Sequence, residues 1–305
     1  MQYSGESGYI NLIKRVLEQG VQQTDRTGVG CISVFDANLI YPEGEFGTLS
    51  TVRPAGLRLA FEEMWMFLRG ETNTETLEEK GIFFWKGNTS REFLDKRGLH
   101  RLPEGDLGSA YSKQWRNIDA LREQSDSESE QNWRRDEVDQ LSNLLDTLKK
   151  DKYSRRMVVS LWNPAEEHMM PLTPCWWSCQ VVVLANKDGT DTLHMKLNNR
   201  SLDIVFGCPF AVQQYRLFQL ALCQMFGFKM GSLSCNLSHV HIYNNQIEYA
   251  QELVQRELGT HGRVQINKRL NCLDDLLGLR WEDIEVTGLE VNKTPFKAKR
   301  PGMAV

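Results

Sequence analysis

The sequence predicts an α+β fold in a single domain that spans residues 1–305. Segments with a helical pattern and segments with a strand pattern both occur, but they do not alternate regularly as in a parallel α/β protein. Hydrophobic residues make up 41% of the chain and charged residues 25%, which is typical of a globular protein. A chain of this length buries enough surface to fold without disulfides or a structural metal.

Three segments are predicted to be helical. Apolar residues recur at three- and four-residue spacing over 57–68, as expected for one buried helix face. Residues 217–226 are apolar on nearly every side, which favours a buried central helix. A cap at Asn73 or Thr74 and a stop at Gly81 predict a short helix between them.

Strands are predicted where β-branched residues are concentrated, at 157–162, 180–184 and 193–197. Residues 119–140 have a different composition, rich in Ser, Glu, Gln and Asp. Such a segment buries little apolar surface, so we expect an exposed insertion there.

Composition also limits the partners and the location of the protein. The formal net charge of −4 argues against a nucleic-acid partner, whereas a local arginine cluster can still bind a small anion. No apolar run approaches the roughly 18 residues of a membrane span, and the first twenty residues lack a signal-peptide pattern. Seven cysteines without metal-like spacing favour a reducing compartment and no metal site. We therefore expect a cytoplasmic protein.

Cys175 lies between two predicted strands and is the candidate nucleophile. A thiol becomes reactive when nearby cations lower its pKa, and arginines occur at positions 155, 156 and 200. The alternative, for any one of the seven cysteines, is a buried residue without a chemical role.

Three turn-like segments place an arginine beside a hydroxyl residue, at 25–28, 154–156 and 199–201. Guanidinium and hydroxyl groups together suit a phosphate dianion. Surface ion pairing is the alternative for each arginine alone. As a set, the segments predict a phosphate site, although periodicity does not show that they converge.

Glu63 flanks the apolar stripe of the first predicted helix. A partly buried carboxylate there would have a raised pKa and could move protons, and a solvated glutamate is the alternative. His241 and Tyr243 alternate with an apolar residue, so both side chains would point to one face of a strand and could bind one hydroxylated ligand. A buried histidine with satisfied hydrogen bonds is the alternative there.

Nine segments resemble thymidylate synthase, in the order of that family and over almost the whole chain. They are DRTGVG (25–30), EEMWMFLRGETN (62–73), GNTSREFLDKRGL (87–99), GDLGSAYSKQWR (105–116), SRRMVVSLWNPAE (154–166), PCWWSCQ (174–180), RSLDIVFGCPF (200–210), HIYNNQIE (241–248) and MAV (303–305). The segment at 87–99 and the insertion at 119–140 are most similar to the eukaryotic branch.

The resemblance implies a large twisted mixed sheet with surrounding helices, packed against the sheet of a second copy in a homodimer. It implies two substrates, a pyrimidine nucleoside 5′-monophosphate and 5,10-methylenetetrahydrofolate, and no metal. It also implies that Cys175 adds to C6 of the pyrimidine, so that C5 becomes nucleophilic, while Glu63 relays protons. Tyr111 matches an active-site tyrosine near the nucleophile.

The remaining site positions are also assigned by resemblance. The phosphate is assigned to Arg26, Arg200 and Ser201, with Arg155 and Arg156 donated across the dimer. The sugar is assigned to His241 and Tyr243. The folate is assigned to Trp85, Asn88, Asp203, Val305 and Arg53, and Arg53 replaces a lysine that faces the folate glutamate tail.

Two positions depart from the family. Trp176 replaces the histidine after the nucleophile, and Ala211 replaces the asparagine that binds the O4 and N3 edge of the base. Alanine neither donates nor accepts a hydrogen bond, so we expect relaxed or changed base choice. Gln180 is assigned to the base edge as well, and Gln213, Gln214 or a water is a candidate for the missing contact. Compensated drift in an ordinary thymidylate synthase is the alternative.

The sequence therefore predicts transfer of a one-carbon unit to C5 of a pyrimidine nucleotide, with uracil, cytosine and a modified pyrimidine all open as the base. Methyl transfer is favoured because Trp85, Asp203 and the MAV terminus indicate a pocket that excludes water. One alternative is a hydroxymethylase acting on dUMP or on a cytidylate, and another is a nucleotide-binding homologue without catalysis. A cysteine hydrolase using Cys175 and His241 is the third, but it leaves the arginines unexplained.

Overall fold

The computed structural model describes residues 1–44, 46–124 and 132–301, and it confirms the α+β fold. The helices are α1 (Gly5–Gln19), α2 (Leu57–Arg69), α3 (Glu75–Glu78), α4 (Lys86–Thr89), α5 (Arg91–Lys96), α6 (Ser112–Arg116), α7 (Gln140–Lys150), α8 (Gly207–Phe226), α9 (Ile247–Leu253) and α10 (Leu273–Leu277). The strands are β1 (Gln2–Ser4), β2 (Val21–Gln23), β3 (Cys31–Tyr41), β4 (Ile118–Gln124), β5 (Asn132–Val138), β6 (Val158–Ser160), β7 (Trp176–Ala185), β8 (Asp191–Asn199), β9 (Leu202–Asp203), β10 (Lys229–Tyr243), β11 (Arg263–Ile266) and β12 (Ile284–Thr287).

A mixed sheet with the order β1-β3-β10-β8-β7-β6 forms the centre of the molecule. Strand β10 runs antiparallel to β3 and parallel to β8, and the short strand β9 continues the pairing with β10 beyond the end of β8. Because β8 and β10 run in the same direction, their carboxyl ends lie at one edge of the sheet. The segments that follow β8 and the last residues of β10 are thereby brought together.

Helix α2 agrees with its predicted position and ends at Gly70, whose positive φ of 77° forms the cap. Every residue from Ala60 to Leu68 is buried, and the ring of Phe61 stacks on Trp65 at 4.3 Å. The indole Nε1 of Trp65 donates to the carbonyl of Leu276 (2.7 Å). A polar side chain in the middle of α2 is consequently shielded from bulk water.

The predicted helix at 217–226 is wrong at its start, because α8 begins ten residues earlier, at Gly207. Helix α8 buries Gln213, Gln214, Arg216 and Gln219, and these polar residues interrupt the apolar pattern. The short helix after Thr74 is confirmed as α3. None of the helices in the described residues is both long and apolar enough to cross a membrane.

The predicted strands overlap β6, β7 and β8, but β7 begins four residues before its predicted start. Strand β10 was not predicted over its whole length, since small polar residues alternate with apolar ones along it and lower its strand propensity. The predicted insertion at 119–140 covers most of β4 and β5, which pair as antiparallel strands from Ile118 with Val138 to Gln124 with Asn132. Residues 125–131 lie outside the described part.

One face of the sheet lacks a helical cover in the described residues. Val158 of β6 and Leu184 of β7 lie on this open face with 51% and 54% of their surface exposed. On the same face, the amide of Asn198 donates to Ser178 Oγ (2.9 Å) and accepts from Asn236 Nδ2 (3.1 Å). The open face is therefore apolar at its edge and carries a polar row across its middle.

Arg216 of α8 is fully buried and connects the helix to the loop after β3 and to strand β10. Its guanidinium donates to the carbonyls of Pro42 (2.8 Å), Phe46 (3.0 Å) and Gly231 (2.7 Å) and to Gln219 Oε1 (2.8 Å). A buried guanidinium with this many acceptors replaces the hydration that it loses.

We expect Arg216→Met to lower the free energy of unfolding by about 3 kcal/mol, because several buried carbonyls lose a charged donor. Urea unfolding followed by circular dichroism measures the change. Arg15 is the matched control, since it donates to the carbonyls of Asp36 and Phe35 near solvent. Arg15→Met should cost about 1 kcal/mol or less. Equal losses in both variants would contradict the structural role assigned to Arg216.

Candidate active site

Cys175 lies directly before β7 and is fixed from two sides through its backbone. Its N–H donates to the hydroxyl of Tyr111 (2.8 Å), and its carbonyl accepts from the N–H of Arg200 (2.9 Å). The ring of Tyr111 stacks on Phe67 of α2, with the centroids 4.8 Å apart. The candidate nucleophile is thus located relative to α2, to the start of α6 and to the end of β8.

Arg200 braces the segment that carries the thiol. Its Nε donates to the carbonyl of Pro174 (3.0 Å), and its Nη2 donates to the carbonyl of Thr173 (2.7 Å). Burial raises the pKa of the Cys175 thiol, and the charges of Arg200 and Arg26 lower it by a smaller amount. The pKa of the thiol is therefore raised on balance, because desolvation outweighs the two cations.

The loop that carries Arg26 is anchored to the end of β10. The N–H of Asn244 donates to the carbonyl of Gly30 (2.9 Å), and its Nδ2 donates to the carbonyl of Val29 (3.0 Å). Gly30 has a φ of 73°, and a Cβ there would come within 2.6 Å of the Asn244 amide, so only glycine fits. This anchoring places the Arg26 charge where it acts on both Cys175 and Tyr243.

The other predicted phosphate residues divide into two groups. Ser201 follows Arg200 in the chain and is half-buried, at the same end of the sheet as Cys175. Arg155 and Arg156 are exposed in the segment before the edge strand β6. Within the described part of the chain, neither guanidinium forms a hydrogen bond or an ion pair.

Glu63 lies in the middle of α2 and is only 7% exposed, so it is not a solvated glutamate. Its carboxylate accepts from the indole Nε1 of Trp85 (2.5 Å) and from the amide Nε2 of Gln214. Burial raises the pKa of Glu63 to about 7, and the two hydrogen bonds oppose part of that increase. A carboxyl group with this pKa can both accept and release a proton near neutral pH.

Aromatic rings connect this carboxylate to the thiol. The ring of Trp85 lies 6.1 Å from Tyr111, whose hydroxyl contacts the backbone of Cys175. The charge of Glu63 also raises the pKa of Tyr111 and of Tyr215, after the larger effect of burial. Cys175 and Glu63, although 112 positions apart in sequence, thus belong to one contiguous group.

Ala211 and Gln214 lie three residues apart at the start of α8 and therefore share one helix face. Gln214 binds Glu63, whereas the amide of Gln213 donates to the carbonyl of Pro209 (2.7 Å) and does not contact Glu63. Of the two candidate glutamines, Gln214 is the one that the structure brings to the site.

Trp176, at the start of β7, packs with its ring 6.3 Å from that of Tyr215. It is paired in register with Asn199, which is fully buried and whose amide atoms lack hydrogen bonds within the described residues. Trp176 and Asn199 lie on the core side, next to α8.

Gln180 does not join this group, contrary to its assignment from the sequence. It is paired with Val158 and Lys196, on the open face of the sheet. Its neighbours Cys179 and Val181 point into the core, and successive side chains of a strand lie on opposite faces. The structure therefore separates Gln180 from the base-edge positions.

His241 and Tyr243 lie together at the end of β10, with their rings 5.0 Å apart. Burial lowers the pKa of His241, so the neutral ring is favoured. His239, absent from the candidates above, lies on the same face, and its Nδ1 is 3.3 Å from His241 Nδ1. The alternation of polar and apolar residues in HVHIY (239–243) already placed His239 on the same strand face as His241 and Tyr243. Cys175 and His241 share no hydrogen bond in the described residues.

Two of the predicted folate residues are buried with different environments: Trp85 contacts Glu63, and Asn88 has an unused hydrogen-bond donor in the described part of the chain. Trp85 is buried and uses its indole N–H on Glu63. Asn88, in α4, is also buried, and its Nδ2 donates no hydrogen bond within the described residues. An unused buried amide donor is what a polar ligand would be expected to satisfy.

Asp203 and Arg53 instead make contacts inside the protein. Asp203 accepts from the backbone N–H groups of Val205 (2.9 Å) and Phe206 (3.0 Å) and from Gln246 Nε2 (2.9 Å). The guanidinium of Arg53 donates to the carbonyl of Val205 and lies 4.7 Å from the centre of the Phe206 ring. Arg53 is thus buried and turned inward, contrary to the expected position facing a folate tail.

The C-terminal segment returns to this part of the molecule. The guanidinium of Arg300 lies 5.5 Å from the centre of the Phe206 ring. Val305, a predicted folate residue, lies outside the described residues. Within the described ranges, no group of three His, Cys, Asp or Glu side chains could hold a metal ion.

Comparisons with known proteins identify similar sequences over most of the chain. The sequence profile of thymidylate synthase matches residues 7–299. Human thymidylate synthase is 34% identical over 290 residues, which covers 95% of this chain and 89% of the human protein. Thymidylate synthase of equine herpesvirus 2 is 34% identical, with 93% and 94% covered. The bifunctional dihydrofolate reductase-thymidylate synthase of Crithidia fasciculata is 35% identical and is matched over 55% of its length.

We expect Arg26→Gln to raise the pKa of the Cys175 thiol further, because a positive charge that favours the thiolate is removed. Alkylation of Cys175 by iodoacetamide at pH 8 should slow by about two- to fivefold, the effect of up to about 1 kcal/mol from a partly solvated charge. Mass spectrometry of the Cys175 peptide measures the rate across pH. Arg263→Gln, in the separate β11–β12 sheet, is the control and should leave the profile unchanged. Coincident profiles for Arg26→Gln and the unmodified protein would contradict the role of Arg26.

Proposed function

Because the chain belongs to the thymidylate synthase family, we propose that it transfers a one-carbon unit from 5,10-methylenetetrahydrofolate to C5 of a pyrimidine nucleoside 5′-monophosphate. The contiguous group of Cys175, Tyr111 and Glu63 is the observation that supports this reaction most strongly. It joins a nucleophile and a proton-relay carboxylate within one buried site.

Cys175 begins the reaction in this proposal. Its thiolate forms a bond to C6 of the pyrimidine, and the electron pair of the C5–C6 double bond moves toward O4, so that C5 becomes nucleophilic. After C5 has bonded to the transferred carbon, C5 loses its proton. The bond between Cys175 and C6 breaks when the C5–C6 double bond forms again and the product leaves. Arg26 and Arg200 favour the thiolate and would also bind the phosphate of the nucleotide, with Ser201. Binding the phosphate far from C5 would orient the ring against the thiol.

Glu63 would move protons at the O4 and N3 edge of the base. Its pKa of about 7 suits both steps of a relay, since the group can accept and then return a proton. The hydrogen bond from Trp85 fixes one carboxylate oxygen, and Tyr111 would order the space between Glu63 and Cys175.

5,10-Methylenetetrahydrofolate is the cosubstrate and supplies the carbon and, for methyl transfer, a hydride. Trp85 and Asn88 would hold it beside Glu63, since Asn88 has an unused buried donor. Asp203 would contribute mainly by shaping the loop before α8, because its carboxylate accepts three internal hydrogen bonds. His241 and Tyr243 would hold the sugar hydroxyl.

We propose that base choice differs from that of relatives with histidine and asparagine at positions 176 and 211. The indole of Trp176 is a donor only, and the methyl group of Ala211 offers no hydrogen bond. A site that loses a donor and acceptor pair discriminates less strongly between base edges.

We further propose a homodimer formed through the open face of the sheet, with Arg155 and Arg156 reaching the phosphate site of the partner. The apolar edge at Val158 and Leu184 suits burial against a second copy. Because the guanidinium groups of Arg155 and Arg156 have no partner among the residues that the structure describes, they are available to another chain. The cytoplasmic location and the single domain over residues 1–305 remain predictions.

We expect one nucleotide among dUMP, dCMP, UMP and CMP to be converted when it is incubated with the protein and 5,10-methylenetetrahydrofolate. Product mass distinguishes a methyl from a hydroxymethyl group, and formation of dihydrofolate accompanies methyl transfer only. Cys175→Ser should abolish turnover, because a hydroxyl is a far weaker nucleophile than a thiolate, while nucleotide binding by calorimetry persists. If no nucleotide is converted and no 5-fluoropyrimidine nucleotide forms an adduct on Cys175, the proposed reaction is wrong.

The shared site predicts complementation between two inactive variants. We expect Cys175→Ser and the double variant Arg155→Gln/Arg156→Gln to regain activity when mixed, because each heterodimer contains one intact site. Random exchange should restore about a quarter of the activity of the unmodified protein. Native mass spectrometry of differently tagged chains confirms exchange. Exchange without any recovery of turnover would contradict donation of the arginines across the dimer.

A further inference from the structure

We propose that Gln214 positions the Glu63 carboxylate and supplies, one helical turn away, the base-edge contact that Ala211 cannot make. This inference rests on the proposed function, since it concerns the same site. It assigns base recognition to Gln214, at a position where the resembled family has a small residue.

The contact between Gln214 and Glu63 fixes which end of the amide is available. An ionised carboxylate only accepts hydrogen bonds, so the Nε2 end of Gln214 must face Glu63. Trp85 occupies the other carboxylate oxygen, and both donors are neutral. The carboxylate is therefore held in one orientation without a cation that would keep it permanently ionised.

The Oε1 end of Gln214 remains available as an acceptor. It accepts no hydrogen bond within the part of the chain that the structure describes, and it is not among the fully enclosed polar atoms without partners. Ala211 lies three residues earlier on the same helix face, and its side chain ends at the methyl group. A base N–H placed over Ala211 would find its acceptor at Gln214, and N3–H of uracil and the amino group of cytosine are both suitable.

The neighbouring Gln213 provides a matched comparison. It is equally buried in α8, but its amide donates to the carbonyls of Pro209 and Ala55. A change from glutamine to methionine at either position removes one buried amide of similar size. Only the change at Gln214 removes a donor from Glu63.

Few other groups would affect the titration of Glu63. Tyr111, directly before α6, and Tyr215, in α8, face Glu63, and burial keeps both phenols protonated near neutral pH. Cys175 lies beyond Tyr111. Glu62, the next residue of α2, forms an ion pair with Lys80 (2.6 Å).

The first test measures Glu63 in the free protein, without any nucleotide. Carbon-13 NMR of glutamate-labelled protein, assigned by the missing signal in Glu63→Gln, gives its pKa. Gln214→Met removes a hydrogen bond to the charged form, so the pKa should rise from about 7 by about half a unit to one unit. Gln213→Met should leave it unchanged. The same pKa in Gln214→Met and the unmodified protein would overturn the positioning role.

The second test uses the nucleotide that the unmodified protein converts. Gln214→Met should lower kcat/KM by about tenfold, the loss expected for one unsatisfied polar group. If Gln214 replaces the amide that is missing at position 211, Ala211→Asn should restore most of this loss in the Gln214→Met background and change the otherwise unmodified protein little. Simple additivity of the two substitutions would contradict the replacement.

A replacement variant and a titration without turnover distinguish failure of the role of Gln214 from failure of the proposed reaction. Gln214→Asn, which keeps the amide but shortens the side chain, replaces Gln214→Met if the latter does not fold, and the same directions are expected. The NMR titration needs no turnover, so it tests Gln214 even if every nucleotide fails. Failure of all nucleotides together with a shifted pKa would therefore reject the proposed reaction while retaining the contact to Glu63.

Discussion

The site depends on how the buried carboxylate of Glu63 is satisfied. An unpaired carboxylate in this position would cost several kcal/mol, so the protein must deliver hydrogen-bond donors to it. Trp85 and Gln214 do this from two segments that are 129 positions apart, and both are uncharged. Neutral donors offset part of the desolvation without suppressing protonation, which leaves the pKa near 7. The relative placement of α2, α4 and α8 is constrained by the same two contacts.

The pairing of the sheet strands positions Cys175 and the arginines around it. Parallel pairing of β8 with β10, extended by β9, brings the segments after β8 beside the last residues of β10. Arg200 then reaches back to the carbonyls before Cys175, and Asn244 holds the loop of Arg26. Residues from four separate parts of the chain thereby meet at one end of the sheet, while the open face stays clear of the site.

Features determined locally were predictable from the sequence, and features determined by tertiary contacts were not. The period of α2 and its terminal glycine are local, and both agree with the structure. The start of α8 was missed because buried glutamines and Arg216 obscure its apolar face. The residue pattern made Cys175 and Glu63 candidates and the resemblance gave them roles, but neither the raised pKa of the thiol nor the inward orientation of Arg53 follows from the sequence. The assignment of Gln180 to the base edge was wrong because the face on which this side chain lies is determined by the pairing of β7 with β6 and β8.

Burial of the Cys175 thiol also affects how fast this residue is oxidised when no substrate is bound. Peroxides attack thiolates, and a cysteine that stays protonated is slow to form sulfenic acid. Because burial outweighs the two arginines, Cys175 is stored mainly in its unreactive form. The proposed nucleophile is therefore protected from peroxides between encounters with a nucleotide, and its thiolate has to form again for each reaction.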